Sequence, residues 1–103
     1  MNLAVKMGID IDDYTEAIAA GGGQCFYLDG QHENLKNENW ATAFSFENMY
    51  KDICICERLS REVGYPMPGM ENVKAVYDKG MENGIGKEDF RASYKVVRGD
   101  YDA

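Results

Sequence analysis

The segment that decides the fold is Phe44-Ser-Phe-Glu-Asn-Met-Tyr-Lys-Asp-Ile-Cys-Ile-Cys-Glu-Arg-Leu-Ser-Arg-Glu-Val-Gly64, whose final glycine ends the longest stretch free of glycine and proline. Its length corresponds to a helix of about five turns. At about 100° per residue, its apolar side chains share one wide face. They are Phe46, Met49, Tyr50, Ile53, Cys56, Leu59 and Val63. The segment predicts a long amphipathic helix around which the other elements pack.

One carboxylate conflicts with this pattern. Asp52 projects between Leu59 and Val63, inside the apolar sector, while Lys51 stands beside it at the edge of the polar face. A buried charge without a partner costs on the order of several kcal/mol. Two interpretations remain open. Lys51 is a surface residue paired with Glu47 one turn earlier, beside an Asp52 that caps a neighbouring helix. Alternatively, Lys51 is presented at a domain edge to an anionic or amide-bearing ligand, and Asp52 is a buried anchor.

Helix signals recur along the rest of the chain. No window alternates apolar and polar residues over the length of a strand, so the predicted fold class is all-α. We expect about five helices plus an N-terminal helix stub, packed as a single domain over residues 1–103. Before the long helix, the predicted elements are the stub 1–7 closed by Gly8, a helix 10–20 capped by Asp10, a helix 24–34 and a loop 36–44 anchored by Trp40 and Phe44. The buried side of helix 24–34 is expected to carry Cys25, Phe26, Leu28 and Leu35. After the long helix come a helix from Pro68 closed by Asn83-Gly84 and a last helix that Glu88 and Asp89 open and Gly99 caps, with Phe90, Tyr94 and Val97 directed inward.

Composition excludes several classes of function. Lys and Arg number 11 against 18 Asp and Glu, which gives a net charge of -7. An acidic chain without a basic cluster does not suit a phosphate backbone or an anionic membrane surface. We therefore expect no nucleic-acid partner and no membrane partner. No apolar run approaches the length that spans a bilayer.

The cysteines and the single histidine form no metal-site pattern. Cys54 and Cys56 point about 200° apart around a helix axis, and His32 has no ligand at metal-binding spacing. We expect no metal and a reduced cytoplasmic protein with buried thiols. The glycines Gly80, Gly84 and Gly86 follow a helix rather than a strand, so they are not a dinucleotide-binding fingerprint.

A family resemblance emerges from these same segments. Phe44, then six residues, then Lys51-Asp52-Ile53, with Glu62-Val63-Gly64-Tyr65-Pro66-Met67-Pro68 after it, resembles the C-terminal domain of the β-hydroxyacid dehydrogenases. That family includes 3-hydroxyisobutyrate dehydrogenase, tartronate semialdehyde reductase and, more distantly, 6-phosphogluconate dehydrogenase. Gly84-Ile-Gly86-Lys-Glu-Asp89-Phe90 and Met7-Gly8-Ile9-Asp10 fit in the same register, so the resemblance covers about residues 1 to 97.

The resemblance implies a helical domain that dimerises and closes one side of an NAD(P)-dependent active site. Lys51 matches the family's lysine that reaches the bound cofactor, NAD or NADP. The printed sequence has no counterpart of the Rossmann domain or of the segment with the family's catalytic lysine and asparagine. We therefore expect no catalytic residue in this chain, no cofactor bound by this chain alone, and two partners: a second copy and the Rossmann domain of a parent enzyme.

The functional expectation is the isolated or truncated C-terminal domain of a dehydrogenase that transfers hydride between NAD(P) and a small 3-hydroxy acid. Alone, this chain is expected to be inactive. The alternative is a non-enzymatic helical dimerisation or interaction module that keeps the family fold. A third interpretation is an unrelated helical bundle.

Overall fold

The computed structural model describes residues 1–102, in which helices are joined by turns and loops. The elements are α1 (Asn2–Lys6), α2 (Ile11–Ala19), α3 (Phe26–Lys36), α4 (Phe46–Val63), α5 (Pro68–Glu82), a 3-10 helix (Phe90–Ala92) and α6 (Ser93–Arg98). Within the described residues no strand forms, and the all-α prediction is confirmed. None of these helices has the length and apolar character needed to cross a membrane.

The chain divides into two compact units, Met1–Asn39 and the residues from Trp40 onwards. Each unit has its own buried residues. That residues 1–103 act as one domain stays a prediction.

The first unit contains α1, α2 and α3. Gly8 follows α1 with a φ of 86°, in the left-handed region that glycine adopts without strain. Asp10 caps α2, because its carboxylate accepts the amide N–H groups of Asp12 and Asp13. An ion pair between Lys36 and Asp12 joins α3 to α2. The predicted stub and the predicted cap at Asp10 are therefore confirmed.

The predicted buried side of α3 is partly wrong. The helix begins at Phe26 and runs through Gly30 to Lys36, and Cys25 is its N-cap residue, with Sγ accepting the amide N–H of Leu28 at 3.4 Å. Phe26 is 93% exposed and Cys25 is exposed, so only Leu35 is fully buried among the expected positions. A thiol that caps a helix points away from the apolar side, which is why the expectation of buried thiols fails at Cys25.

The second unit packs α4, α5, the 3-10 helix and α6 around one core. Its buried apolar residues are Phe46, Ile53, Tyr77, Ile85, Ala92 and Val96. The ring of Phe46 stacks on that of Tyr77 with centroids 4.3 Å apart. Gly80 makes this stacking possible, because a β-carbon at this position would lie 2.2 Å from Cζ of Phe46.

The long helix confirms the prediction in its bounds, since α4 begins after the N-cap Ser45 and ends at Gly64 with φ 66°. The predicted apolar face is correct only in its first half. Phe46 and Ile53 are buried, whereas Leu59 is 50% and Val63 is 75% exposed. The side chains of the second half of that face are therefore exposed to solvent.

Two further expectations are corrected at the loop and the last helix. Trp40 packs against the core as predicted, but Phe44 remains 38% exposed and contacts Phe90 edge-to-face at 6.0 Å. The last helix starts as a 3-10 turn at Phe90, and this tighter winding shifts the inward position by one residue. Val96 is buried in place of Val97, which is 61% exposed.

A buried charged pair connects the loop before α4 to the start of the 3-10 helix. Asp89 is completely buried, and one carboxylate oxygen accepts the amide N–H groups of Ala43 and Phe44 at 2.9 and 3.1 Å. The other oxygen accepts the amide N–H and Nε of Arg91 at 2.9 and 2.7 Å. Arg91 also donates to the carbonyl of Ala41 at 3.1 Å. We call Asp89, Arg91 and the segment 41–44 the Asp89 clasp.

The clasp keeps its carboxylate ionised. Burial by itself would raise the pKa of Asp89, but the hydrogen bonds from Arg91, Ala43 and Phe44 outweigh burial and lower the pKa below its ordinary value of 3.8. The charge is therefore present at neutral pH, where it holds segment 41–44.

The close approach at Gly80 yields a stability prediction. Gly80→Ala should lower the free energy of unfolding by about 1–3 kcal/mol, because the new methyl group displaces the Phe46 ring from its stacking position on Tyr77. Denaturant unfolding followed by circular dichroism measures this change.

Gly69→Ala is the matched control, because Gly69 lies in the same helix and a β-carbon there meets nothing within 4 Å. This control should be neutral or stabilising by up to about 1 kcal/mol. Equal effects of the two substitutions would show that the Phe46–Gly80 approach is unimportant.

Candidate functional site

Lys51 and Asp52 lie together on the exposed side of α4. The Nζ of Lys51 is 3.4 Å from a carboxylate oxygen of Asp52, and their side chains are 62% and 53% exposed. The expectation that Asp52 is a buried anchor is therefore wrong. The physical reason is that the flanking residues Leu59 and Val63 are themselves uncovered, so Asp52 retains its contact with water.

An apolar row runs from this pair along the outside of α4. Ile55, Leu59 and Val63 recur at every fourth residue and are 39%, 50% and 75% exposed. We call these three residues the outer stripe. Helix α4 thus has two apolar sides, a buried one that begins at Phe46 and the outer stripe, which begins beside Lys51. The sequence predicted one wide apolar face because a helical wheel does not separate these two sides.

The charged residue one turn before Lys51 has a distant partner. Glu47 accepts from Nζ of Lys87 at 2.7 Å, so the predicted pairing of Glu47 with Lys51 is not the contact observed. Lys87 comes from the turn that follows α5, and the carbonyl of Gly86 in that turn accepts the amide N–H of Glu47 at 3.0 Å. Charges therefore alternate along this side, from Lys87 through Glu47 and Lys51 to Asp52.

A second polar network joins α4 to α5. The hydroxyl of Tyr50 donates to Asp78 at 2.7 Å, and Lys74 lies 3.1 Å from the same carboxylate and 3.9 Å from Glu57. The hydrogen bond to Asp78 raises the pKa of Tyr50 and, reciprocally, lowers the pKa of Asp78. Sequence reasoning missed this network, although Lys74 and Asp78 stand at the helical spacing that a paired row shows.

A shallow groove lies at the far end of α4. Its walls are Ser60, Arg61, Gly64, Tyr65, Pro66 and Glu71. The helix rises about 1.5 Å per residue, so Gly64 is about 20 Å along the axis from Lys51. The groove and the Lys51–Asp52 pair are therefore separate features.

Within residues 1–102, no group of three or more His, Cys, Asp or Glu side chains is arranged to hold a metal ion. The three cysteines are free, with Cys54 and Cys56 half-buried.

The glycines of the turn after α5 have local structural roles. Gly84 adopts a φ of 78°, and a β-carbon at Gly86 would lie 3.3 Å from Oε2 of Glu47 and 3.4 Å from Sδ of Met81.

Comparison with known proteins identifies relatives for nearly the whole chain. Residues 1–97 match the protein family described as "NAD-binding of NADP-dependent 3-hydroxyisobutyrate dehydrogenase". The chain is 24% identical over 95 residues to 2-(hydroxymethyl)glutarate dehydrogenase of Eubacterium barkeri, covering 91% of this chain. It is 25% identical over 105 aligned residues to the mitochondrial 3-hydroxyisobutyrate dehydrogenase of Drosophila melanogaster, covering 95% of this chain. In both cases it spans 32% of the relative's length.

A solved structure shares the fold. The crystal structure of 3-hydroxyisobutyrate dehydrogenase from Salmonella typhimurium superposes with a TM-score of 0.85 at 18% identity. The superposition covers 92% of this chain and 33% of the Salmonella chain. At that identity the likeness establishes a common helical architecture.

Proposed function

This chain belongs to the NAD-binding family of NADP-dependent 3-hydroxyisobutyrate dehydrogenase, and on this premise we propose that it forms the helical, cofactor-contacting part of an NAD(P)-dependent dehydrogenase. The family match over residues 1–97 is the observation that carries the proposal. The chain corresponds to 32% of the curated relatives' length, so the whole enzyme's activity is assigned here to a longer assembly.

The proposed substrate class is a small 3-hydroxy acid. The two curated relatives are named for 2-(hydroxymethyl)glutarate and 3-hydroxyisobutyrate. Both compounds place a hydroxymethyl group on the carbon next to a carboxylate. The bound nicotinamide would supply the hydride chemistry at that alcohol carbon.

Lys51 is the proposed cofactor contact. Its ammonium group stands in solvent on a helix side that also carries the half-exposed Ile55. A cation beside an apolar surface suits a nicotinamide dinucleotide, which combines anionic phosphates with a flat ring and an amide. The side chains on this part of α4 thus fit the group chemically. In the absence of the dinucleotide, the carboxylate of Asp52, which lies 3.4 Å from Nζ of Lys51, balances the charge of the lysine.

We expect the 103-residue chain to transfer no hydride and to contact NADPH only weakly. The affinity should be about millimolar or weaker, because one lysine and a short apolar row bury little of a dinucleotide. In a titration of the 15N-labelled chain with NADPH, resonances around Lys51 should move without a stable complex. Lys51→Met should abolish these shifts, because it keeps the length of the side chain and removes the charge.

Lys6→Met is the matched control, since Lys6 is an exposed lysine in the first unit, and it should leave the titration unchanged. An activity assay with NAD or NADP and 3-hydroxyisobutyrate accompanies the titration. Turnover by the chain alone would contradict the proposed role, as would shifts that persist in Lys51→Met.

The outer stripe favours a second candidate function, a helical dimerisation module that keeps the family fold. Leu59 and Val63 are half or more exposed, together with Tyr65 at 69% just beyond the helix. Large apolar side chains exposed close together in the sequence favour a protein–protein contact. We propose a second copy of the chain as the partner.

Self-association is testable by sedimentation at high micromolar concentration. The wild-type chain should sediment as a dimer, and Leu59→Glu should weaken the dimer by roughly tenfold or more, because it buries a charge in the contact. Val97→Glu is the control, because Val97 is an apolar residue on α6 that is 61% exposed, and it should leave the dimer intact. A monomeric wild-type chain would exclude this candidate.

A further inference from the structure

We propose that Asp89 is a positioning residue for Lys51, and that it acts by fixing the start of helix α4. This inference rests on the proposed role of Lys51 as a cofactor contact. Asp89 itself is completely buried and touches no ligand surface, so its effect passes through the backbone of segment 41–47.

The first step is the grip on the loop before α4. One oxygen of Asp89 accepts two successive amide N–H groups, those of Ala43 and Phe44. The amide N–H of Asp89 donates in turn to the carbonyl of Trp40 at 3.1 Å. A loop normally leaves such groups to water, whereas here a buried ionised carboxylate binds them, and charge-assisted hydrogen bonds are the stronger kind.

The second step is the capture of the first turn of the helix. The first amide N–H groups of a helix have no partner within it. In α4, Phe46 donates to the carbonyl of Glu88 at 2.7 Å and Glu47 donates to the carbonyl of Gly86 at 3.0 Å. Phe90 donates back to the carbonyl of Phe44 at 2.8 Å. These bonds flank Asp89 on both sides, so α4 cannot turn about its axis without breaking them.

The third step connects the helix start to Lys51. Lys51 lies five residues after Phe46, about 7.5 Å along the axis, so its direction follows the rotational setting of the first turn. Its own ion pair with Asp52 is exposed, and such pairs contribute about 0–1 kcal/mol. The local pair is too weak to hold the side chain in place. The backbone that the Asp89 clasp sets is therefore what orients Lys51.

The test compares NADPH titrations of 15N-labelled wild-type, Asp89→Asn and Asp100→Asn chains. Asn keeps the shape of the side chain and removes the charge. Asp100 is the matched control, because it also pairs with an arginine, Arg98 at 2.8 Å, but lies outside the clasp. We expect Asp100→Asn to match the wild type. Asp89→Asn should shift the resonances of Lys51 in the absence of NADPH. It should also raise the chain's dissociation constant for NADPH by roughly tenfold or more, because a small misplacement of a contacting side chain weakens binding strongly.

A milder variant tests the same path from segment 41–44 to Lys51 if Asp89→Asn does not fold. Thr42 is exposed, and its hydroxyl donates to the carbonyl of Lys87 across the same two loops. Thr42→Val removes only that bond. It should move the Lys51 resonances in the same direction by a smaller amount and weaken NADPH contact less than tenfold.

The outcomes separate the two hypotheses. If NADPH moves the Lys51 resonances of the wild type and the folded Asp89→Asn chain responds with the same dissociation constant, the positioning role is wrong and the proposed function stands. If Asp89→Asn and Asp100→Asn weaken the contact equally, the positioning role is also wrong. If NADPH leaves the wild-type resonances unmoved, the proposed function fails and the inference built on it fails with it.

Discussion

The carboxylate of Asp89 is the interaction on which the second unit depends. It lies in the interior with no exposed surface, and it joins Arg91 to the amide groups of Phe44 and Ala43, which stand 45 and 46 residues before Asp89 in the sequence. Removing one partner of a buried ion pair typically costs about 3–5 kcal/mol, because the other charge is left without compensation. Phe46, at the first position of α4, is packed by the same arrangement against Tyr77 and Gly80.

Local sequence signals predicted the helix boundaries because the physical causes of those boundaries are local. Asp10 caps α2 through amides two and three residues on, and Gly64 ends α4 in the left-handed region. Pro68 begins α5 with the φ that a first helical turn needs. In each case the chemistry lies within one turn of the boundary, and the prediction is confirmed.

Long-range effects were beyond that reasoning. Asp52 was assigned to a buried face because a helical wheel merges two apolar sides of α4 into one. The side of Phe46 and Ile53 is buried, whereas the side of Leu59 and Val63, which Asp52 shares, is exposed. Asp89 was predicted to open the last helix, and it does accept the amide N–H of Arg91. No local sequence pattern predicts its hydrogen bonds to Ala43 and Phe44, so only the structure shows that Asp89 holds the loop before α4. The Tyr50–Asp78 bond between α4 and α5 was missed for the same reason.

The candidate site reflects this division between local and long-range causes. Lys51 was singled out from the sequence by its place beside Asp52 and by a family resemblance, and the structure places it in solvent next to the outer stripe. What sequence reasoning did not supply is the means by which its helix is held. Segment 41–47 links the fold to the functional hypothesis, because the buried charge of Asp89 fixes the start of the helix that carries the exposed charge of Lys51.

Amide hydrogen exchange of the wild-type chain tests this account most directly. If the Asp89 clasp holds segment 41–47, the amides of Ala43 and Phe44 should exchange as slowly as that of Ile53 in the middle of α4, even though they lie in a loop. Phe46 and Glu47, at the first turn of the helix, should be protected to the same degree. Exchange of these four amides at the rate of an open loop, with Ile53 still protected, would contradict the central claim.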